Sequence, residues 1–400
     1  MSRASAVVKA TVVTTVATAG LLGAAAAGVA AYFTRRVVTP DHVRPDDIWI
    51  VDVDQGAEPP TVTLQVTAET VAAGRFGLWF DGRAGHARLG EVLHADDEVV
   101  VRRLEQVDSG TLRSGPGRWN GYYYTGSPTT GLGIAHEDIE IDTDLGPMHA
   151  WYVPATGETT MCALLVHGRG ATREECLRAV RPMLDLGLAV LVCSYRNDAE
   201  SPSDPSGRYH LGDSEWRDVE AAMLWAVDRG ARDIVLFGWS MGGAIVLQAA
   251  TRSWLSDRVR AVVLDGPVVD WHAVLDHQSG VNHLPWRLTR MGHTMLRHPL
   301  GRRLIGLREP LDLRRLDWVT RAAELHLPVL LIHSDEDEFV PNGPSLALGR
   351  ARPDLVTVEP WHEGRHTKEW NTDPDRWDRV VREFVAAHQV QPPEARAGIA

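Results

Sequence analysis

The stretch Ile234-Val-Leu-Phe-Gly238-Trp-Ser240-Met-Gly242-Gly-Ala-Ile-Val-Leu-Gln-Ala-Ala250 decides how this chain is read. A short apolar run with strand character leads into glycines 238 and 242 around a serine, and a run of helix formers comes next. A strand turning sharply into a helix is the setting in which G-x-S-x-G exposes a serine oxygen at a strand's end. The turn strains the serine backbone, and only glycine at 238 and 242 lets neighbouring segments close in. The bare pattern recurs by chance, so its flanks give it its weight.

A serine hydroxyl is a weak nucleophile until a base takes its proton and a third group orients that base. After such a turn the chain order is nucleophile, acid, histidine. Downstream, Pro328-Val-Leu-Leu-Ile-His333 reads as a buried strand that runs into Ser334-Asp335-Glu336-Asp337-Glu338-Phe339-Val340-Pro341. Acids in such a loop stand at the carboxyl edge of a parallel sheet, where ligands bind. The next strand, Leu355-Val-Thr-Val-Glu359, leads to Trp361-His362-Glu-Gly-Arg-His366-Thr-Lys-Glu-Trp370. A helix comes after it, with Asp373 as N-cap and Pro374 in its first turn. The order Ser240, then Asp335 or Asp337, then His362 or His366 is satisfied. Asp265, after the strand-like run Val259–Leu264, is a weaker rival for the acid.

These residues resemble the serine α/β-hydrolase superfamily, particularly bacterial prolyl-oligopeptidase-like and serine-aminopeptidase-like members. The likeness is carried by Leu165-Val-His167-Gly168-Arg169-Gly170, Ser194-Tyr-Arg-Asn197, Gly238–Gly243, His333–Pro341 and His366-Thr-Lys-Glu-Trp-Asn371, spread over about residues 138 to 390. It implies a serine esterase or amidase with Asp337 as the acid and His366, four residues before a tryptophan, as the base. Ser334 stands where the pattern has glycine. A serine nucleophile also disfavours dehalogenase chemistry, which on this fold uses an aspartate. The negative oxygen that develops on the substrate needs N–H donors. One is expected from Met241, the residue after the serine. The resemblance points to the Arg169 backbone for the second, in a loop made pliable by Gly168 and Gly170.

The chain has 400 residues and is 44% hydrophobic, enough for more than one domain with a large core. A formal charge of −12 argues against a nucleic-acid partner, which would call for basic patches. Lys9 and Lys368 are the only lysines, so arginine carries nearly all the positive charge, as in the coding bias of a GC-rich genome. Three cysteines without C-x-x-C spacing exclude a disulfide framework and offer no redox or zinc site. No cofactor and no metal are implied, and the substrate class is a small ester or peptide.

Ala10 to Phe33 is 24 residues without a charge, between Lys9 and Arg35-Arg36. As a helix it spans ~36 Å, enough for a ~30 Å bilayer core. Residues 1–36 are therefore expected to be a membrane-spanning anchor, with a cleaved signal ending near Ala24-Ala25-Ala26 as the alternative. Positive residues nearly balance across the span and do not orient it; with a short, charged amino-terminal flank the catalytic part is expected outside the cytoplasm, membrane-anchored or secreted.

Residues 45–125 differ in character from the rest of the chain. Thr61-Val-Thr-Leu-Gln-Val66 alternates apolar and polar, and further strand-like runs at 75–80, 88–93 and 98–102 make a small β-rich accessory module. A passage rich in Gly, Pro and Ser from 109 to 133, containing Tyr122-Tyr-Tyr124, joins it to the carboxyl-terminal part. The tyrosines read as packing between the two parts. From Ile139 strands and helices alternate, so the fold class is α/β, an α/β-hydrolase fold with a mostly parallel sheet flanked by helices over 138–390. Residues 266–327, with Trp271, Trp286 and arginine pairs at 302–303 and 314–315, exceed a simple crossover; the resemblance implies a lid-like insertion, and a longer helical excursion with a solvated arginine face is the alternative. Asp213 and Glu215 read as helix-capping acids paired with arginines; gripping a substrate amine is the alternative. Oligomeric state is left open.

Overall fold

A computed structural model describes residues 23–40 and 45–389. Its first strand system is a closed antiparallel barrel of β1 (Ile48–Asp54), β2 (Thr61–Gln65), β3 (Phe76–Phe80), β4 (Gly85–Ala95), β5 (Val99–Ser109) and β6 (Gly115–Asn120), in the order β1-β2-β5-β4-β3-β6. The alternation read in the sequence aims Val62 and Leu64 of β2 into the barrel. Closure removes the unpaired edges that a small sheet would otherwise expose. Arg102 is buried, and its guanidinium donates to the carbonyls of Thr70, Ala72, Gly74 and Gly90.

The second system has eight strands: β7 (Glu137–Thr143), β8 (Gly146–Val153), β9 (Met161–Val166), β10 (Ala189–Cys193), β11 (Asp233–Trp239), β12 (Val259–Asp265), β13 (Val329–Ser334) and β14 (Val356–Trp361). Their order is β14-β13-β12-β11-β9-β10-β8-β7, with β9 to β14 parallel and the β7–β8 hairpin antiparallel at one edge.

The helices are α1 (23–38), α2 (Pro128–Leu132), α3 (Leu177–Asp185), α4 (Trp216–Asp228), α5 (Met241–Arg252), α6 (Trp271–Val281), α7 (Trp286–Arg297), α8 (Pro299–Ile305), α9 (Gly343–Ala351), α10 (Glu369–Thr372) and α11 (Pro374–Gln389). Strand β11 explains the layering. Ile234 and Leu236 join the core shared with α4 and α5, while Val235 and Phe237 join the core shared with α3 and α11. A continuous apolar run therefore serves a strand buried on both faces. Asp373 accepts from the Arg376 N–H at 3.0 Å, as an N-cap should.

The amino terminus requires a correction. Among the described residues no helix is long and apolar enough to cross a membrane. The part of the expected anchor that can be placed, from residue 23 onward, belongs to α1 and packs on the α/β part. Ala30, Thr34 and Val38 recur every four residues and are buried, giving α1 one inward stripe. Gly292 of α7 leaves the space that Thr34 occupies; a Cβ there would lie 2.6 Å from Thr34 Oγ1. Small residues that read as a bilayer span are, over this stretch, small because helices approach closely. Residues 1–22 of the expected anchor or signal lie outside the described residues.

The stretch 266–327 forms α6, α7 and α8 between β12 and β13. His277 and Gln278 of α6 reach the loop after β13 through the carbonyls of Glu338 and Phe339. The tyrosine run lies between barrel and sheet: Tyr122 Oη accepts from the Thr172 N–H at 3.1 Å, and the Tyr123 and Tyr124 rings stand 5.8 and 5.6 Å from Trp370.

Candidate active site

Strand β11 runs into α5 through Ser240, whose backbone sits at φ 50° and ψ −116°, far from where a serine rests unconstrained. Both glycines of the motif are sterically required. A Cβ on Gly238 would lie 2.5 Å from the Gly242 carbonyl, and one on Gly242 would lie 2.2 Å from the Val166 oxygen. The turn is held by Ser240 N–H donating to the Asp265 carbonyl (3.0 Å) and by the Gly243 and Val268 N–H groups donating to the Ser240 carbonyl (3.0 Å each).

His366 reaches the serine from the loop after β14. Its Nε2 is 2.8 Å from Ser240 Oγ, and its Nδ1 is 2.7 Å from Asp337 Oδ2. Asp337 comes from the loop after β13. Its Oδ1 accepts from the Phe339 and Val340 N–H groups at 2.9 and 2.7 Å. His333, at the end of β13, lies 3.2 Å from Asp337 Oδ2, with its other ring nitrogen 2.8 Å from Ser345 Oγ. Burial alone would raise the Asp337 carboxyl. The His366 charge and the hydrogen bonds from His333 and His366 outweigh it and hold the group well below the ordinary carboxylate range. Burial lowers His366, but the Asp337 charge and hydrogen bond more than offset that, so the imidazole binds a proton more tightly than usual.

The sequence rivals lie elsewhere. Asp335 and His362 pair with each other at 2.7 Å on the surface, where their side chains are 51% and 72% exposed. Asp265 is fully buried behind Ser240, with Oδ2 accepting from the Trp239 and Trp377 indoles at 3.2 and 2.8 Å. Asp213 pairs with Arg252 and Arg315, and Glu215 accepts from the backbone N–H groups of His210 and Gly212.

The loop after β9 lies against the serine, since a Cβ on Gly168 would stand 3.2 Å from Ser240 Cβ. The Gly168 peptide is fixed on both sides: its N–H donates to Glu175 Oε2 (2.7 Å) and its carbonyl accepts from Tyr195 Oη (2.8 Å). Arg169 is next in the chain, and its guanidinium donates to the carbonyls of Arg36, Val37 and Thr39 at 2.7 to 2.8 Å. A cation thus closes the C-terminal end of α1 and ties that helix to the loop. Met241 is the first residue of α5, and the opening N–H groups of a helix have no partner within it.

Three features carry no sequence signal. Glu175 supports the Gly168 peptide, and its carbonyl accepts from Arg178, which also donates to the Thr367 carbonyl (2.8 Å) beside His366. His333 stands in the sequence as the end of a strand and the start of the His333–Pro341 run, and neither signals its contact with Asp337. Glu369 is fully buried beside Asp265 and accepts from the Ser334 N–H at 3.1 Å; burial pushes both carboxyls up, and the Asp265 charge raises Glu369 further. Among the described residues no group of three or more His, Cys, Asp or Glu is placed to hold a metal ion.

Comparison with known proteins agrees with this architecture. Residues 164–291 match a family described as the alpha/beta hydrolase fold, which includes Ser240 but ends before Asp337 and His366. Residues 49–120, the barrel, match a domain of unknown function. An uncharacterized protein of Mycobacterium tuberculosis is 28% identical over 233 residues, covering 56% of this chain and 71% of the relative. Among solved structures, an esterase of Pyrococcus furiosus superposes with a TM-score of 0.51 at 18% identity, over 66% of this chain and 97% of that one. Sheet order and strained serine turn are those of the α/β-hydrolase fold, and residues 164–291 match the family described by that fold.

Proposed function

We propose that this chain is a serine hydrolase that cleaves carboxylic esters of small molecules through an acyl-enzyme. One observation carries the reading: the His366 ring lies within hydrogen-bond distance of both the Ser240 hydroxyl (2.8 Å) and the Asp337 carboxylate (2.7 Å). Ser240 Oγ attacks the ester carbonyl while His366 Nε2 takes its proton. Asp337 holds the imidazole in the tautomer with its proton on Nδ1 and stabilises the cation that forms. The Met241 and Arg169 backbone N–H groups receive the oxyanion. Collapse of the tetrahedral intermediate expels the alcohol, which takes the proton from His366. Water then attacks the acyl-serine with His366 again as base, and the carboxylic acid leaves. The reaction calls for no cofactor.

A peptidase gripping a substrate amine finds no support in Asp213 or Glu215, whose carboxylates are engaged by arginines and backbone N–H groups. The test is labelling with a fluorophosphonate probe alongside p-nitrophenyl butyrate hydrolysis. Native protein is expected to label on the Ser240 peptide, and Ser240→Ala to lose labelling and about 10⁵-fold or more of the ester rate. Native protein that neither labels nor hydrolyses any ester would leave a binding protein on this scaffold instead.

A further inference from the structure

A cavity of 340 Å³ lies between α1, α6 and α7, and α1 supplies one whole wall of it. Its apolar lining comes from Ala30, Phe33 and Val37 on α1, Val274 and Leu275 on α6, and Leu288 on α7. Two further lining residues connect it to the serine. The Phe339 ring lies tilted against the His366 imidazole with ring centroids 5.4 Å apart. Arg169 directly follows Gly168, which lies against Ser240, and the Arg169 peptide is the one assigned to the oxyanion.

The chemistry of the lining selects among occupants. No aspartate or glutamate lines the cavity, so it offers no counter-charge to a substrate amine. The Arg169 guanidinium is occupied by three carbonyls of α1 and its following turn, and the Gln278 amide by the carbonyls of Glu338 and Phe339. Burial pushes His293 below its ordinary value against the opposing charge of Asp276, so it faces the cavity uncharged near neutrality. A volume near the lower end of the ~300–1,000 Å³ usual for small-ligand sites suits one flexible chain better than a bulky ring system. The other large cavity, lined by Arg83, Arg173, Glu174, Asp198 and Glu200, is charged and suits no apolar chain.

We infer that this cavity binds the acyl chain of a medium-chain ester, and that α1 is a working wall of the substrate site. The inference rests on the serine-hydrolase reading and narrows its substrate class. It makes α1 a determinant of specificity: the helix sets the width of the channel and, through Arg169, holds the loop beside Ser240.

The experiment is a series of p-nitrophenyl esters, from acetate through butyrate and octanoate to palmitate, on the full chain, with fluorophosphonate labelling of Ser240 in parallel. For native protein kcat/KM is expected to rise about threefold to fourfold per added methylene until the cavity is filled, and to fall at palmitate. Ala30→Phe narrows the channel from α1 and Leu288→Trp narrows it from α7, so misfolding of one leaves the other informative. In a folded variant the octanoate-to-acetate ratio of kcat/KM should drop by about 30-fold or more relative to native. A ratio unchanged in both variants while Ser240 still labels overturns the acyl-cavity assignment alone. Absence of labelling in native protein overturns the hydrolase reading beneath it.

Discussion

At the scale of single residues, the site depends on how one carboxylate and one imidazole share a proton. Asp337 is ionised across the working pH range and lifts His366 above the ordinary imidazole value of 6.5. In the proposed mechanism the free base is needed for attack, so the acid limb of kcat/KM should lie above pH 6.5 in native protein. Asp337→Asn should lower kcat/KM by about 10³–10⁴-fold and move that limb to lower pH, whereas Asp335→Asn, which touches only the exposed His362 and Asn342 side chains, should stay within about twofold. A larger loss in Asp335→Asn would reverse the assignment. The acids behind the serine make a second prediction. Asp265 and Glu369 bind a proton more tightly when folded than when unfolded. Their stabilisation is complete below the ordinary carboxylate range and is lost as pH rises through the folded pair's titration. Glu369→Gln removes its share of that titration, so above the ordinary carboxylate range the native Tm should fall with pH more steeply than the variant's. Parallel slopes would show that the pair does not govern the pH response.

At the scale of elements, β11 and α5 meet in a turn that tolerates no added carbon. Gly242→Ala should cost about 2–4 kcal/mol in chemical denaturation, since its Cβ would collide with the carbonyl of β9 at 2.2 Å. Gly157→Ala, in open space, should change stability by less than about 0.5 kcal/mol. A wild-type midpoint for Gly242→Ala would mean that the turn can open. This part of the fold is readable from residue order because its signals are local: apolar runs for strands, glycines at fixed offsets, a loop acid and a loop histidine in the right sequence. The β-rich module is readable as strands from their alternation. That β6 closes onto β1 is not, because closure is a pairing between strands some sixty residues apart, visible only in the register. The roles of Glu175, Glu369 and His333 are equally hidden, since each depends on a contact made across the fold. Helix α1 defeats a hydropathy reading for a physical reason: Ala, Gly and Thr suit both a lipid span and a close helix contact, and hydropathy alone does not separate them.

At the scale of the whole molecule, the barrel holds the loop that carries His366. The buried Asn371 side chain donates to the Arg75 and Gly121 carbonyls at 2.6 and 2.9 Å, the Asn371 backbone carbonyl accepts from the Arg75 N–H at 2.7 Å, and Lys368 and Arg365 pair with Glu69. Asn371→Ala takes the donor from two partly buried carbonyls and should cost about 1–3 kcal/mol in chemical denaturation, with kcat falling because the imidazole loses its footing. An unchanged kcat in a destabilised variant would show that the barrel supports the fold but not the chemistry. These contacts join residues nearly 300 positions apart, while α1 meets α7 across some 260. A ribosome releases the amino-terminal helix and barrel first, and both wait for partners that emerge much later. The loop that carries His366 therefore gains its footing on the barrel only after both have left the ribosome, so a growing polypeptide lacks the proposed triad until that late stretch has folded back.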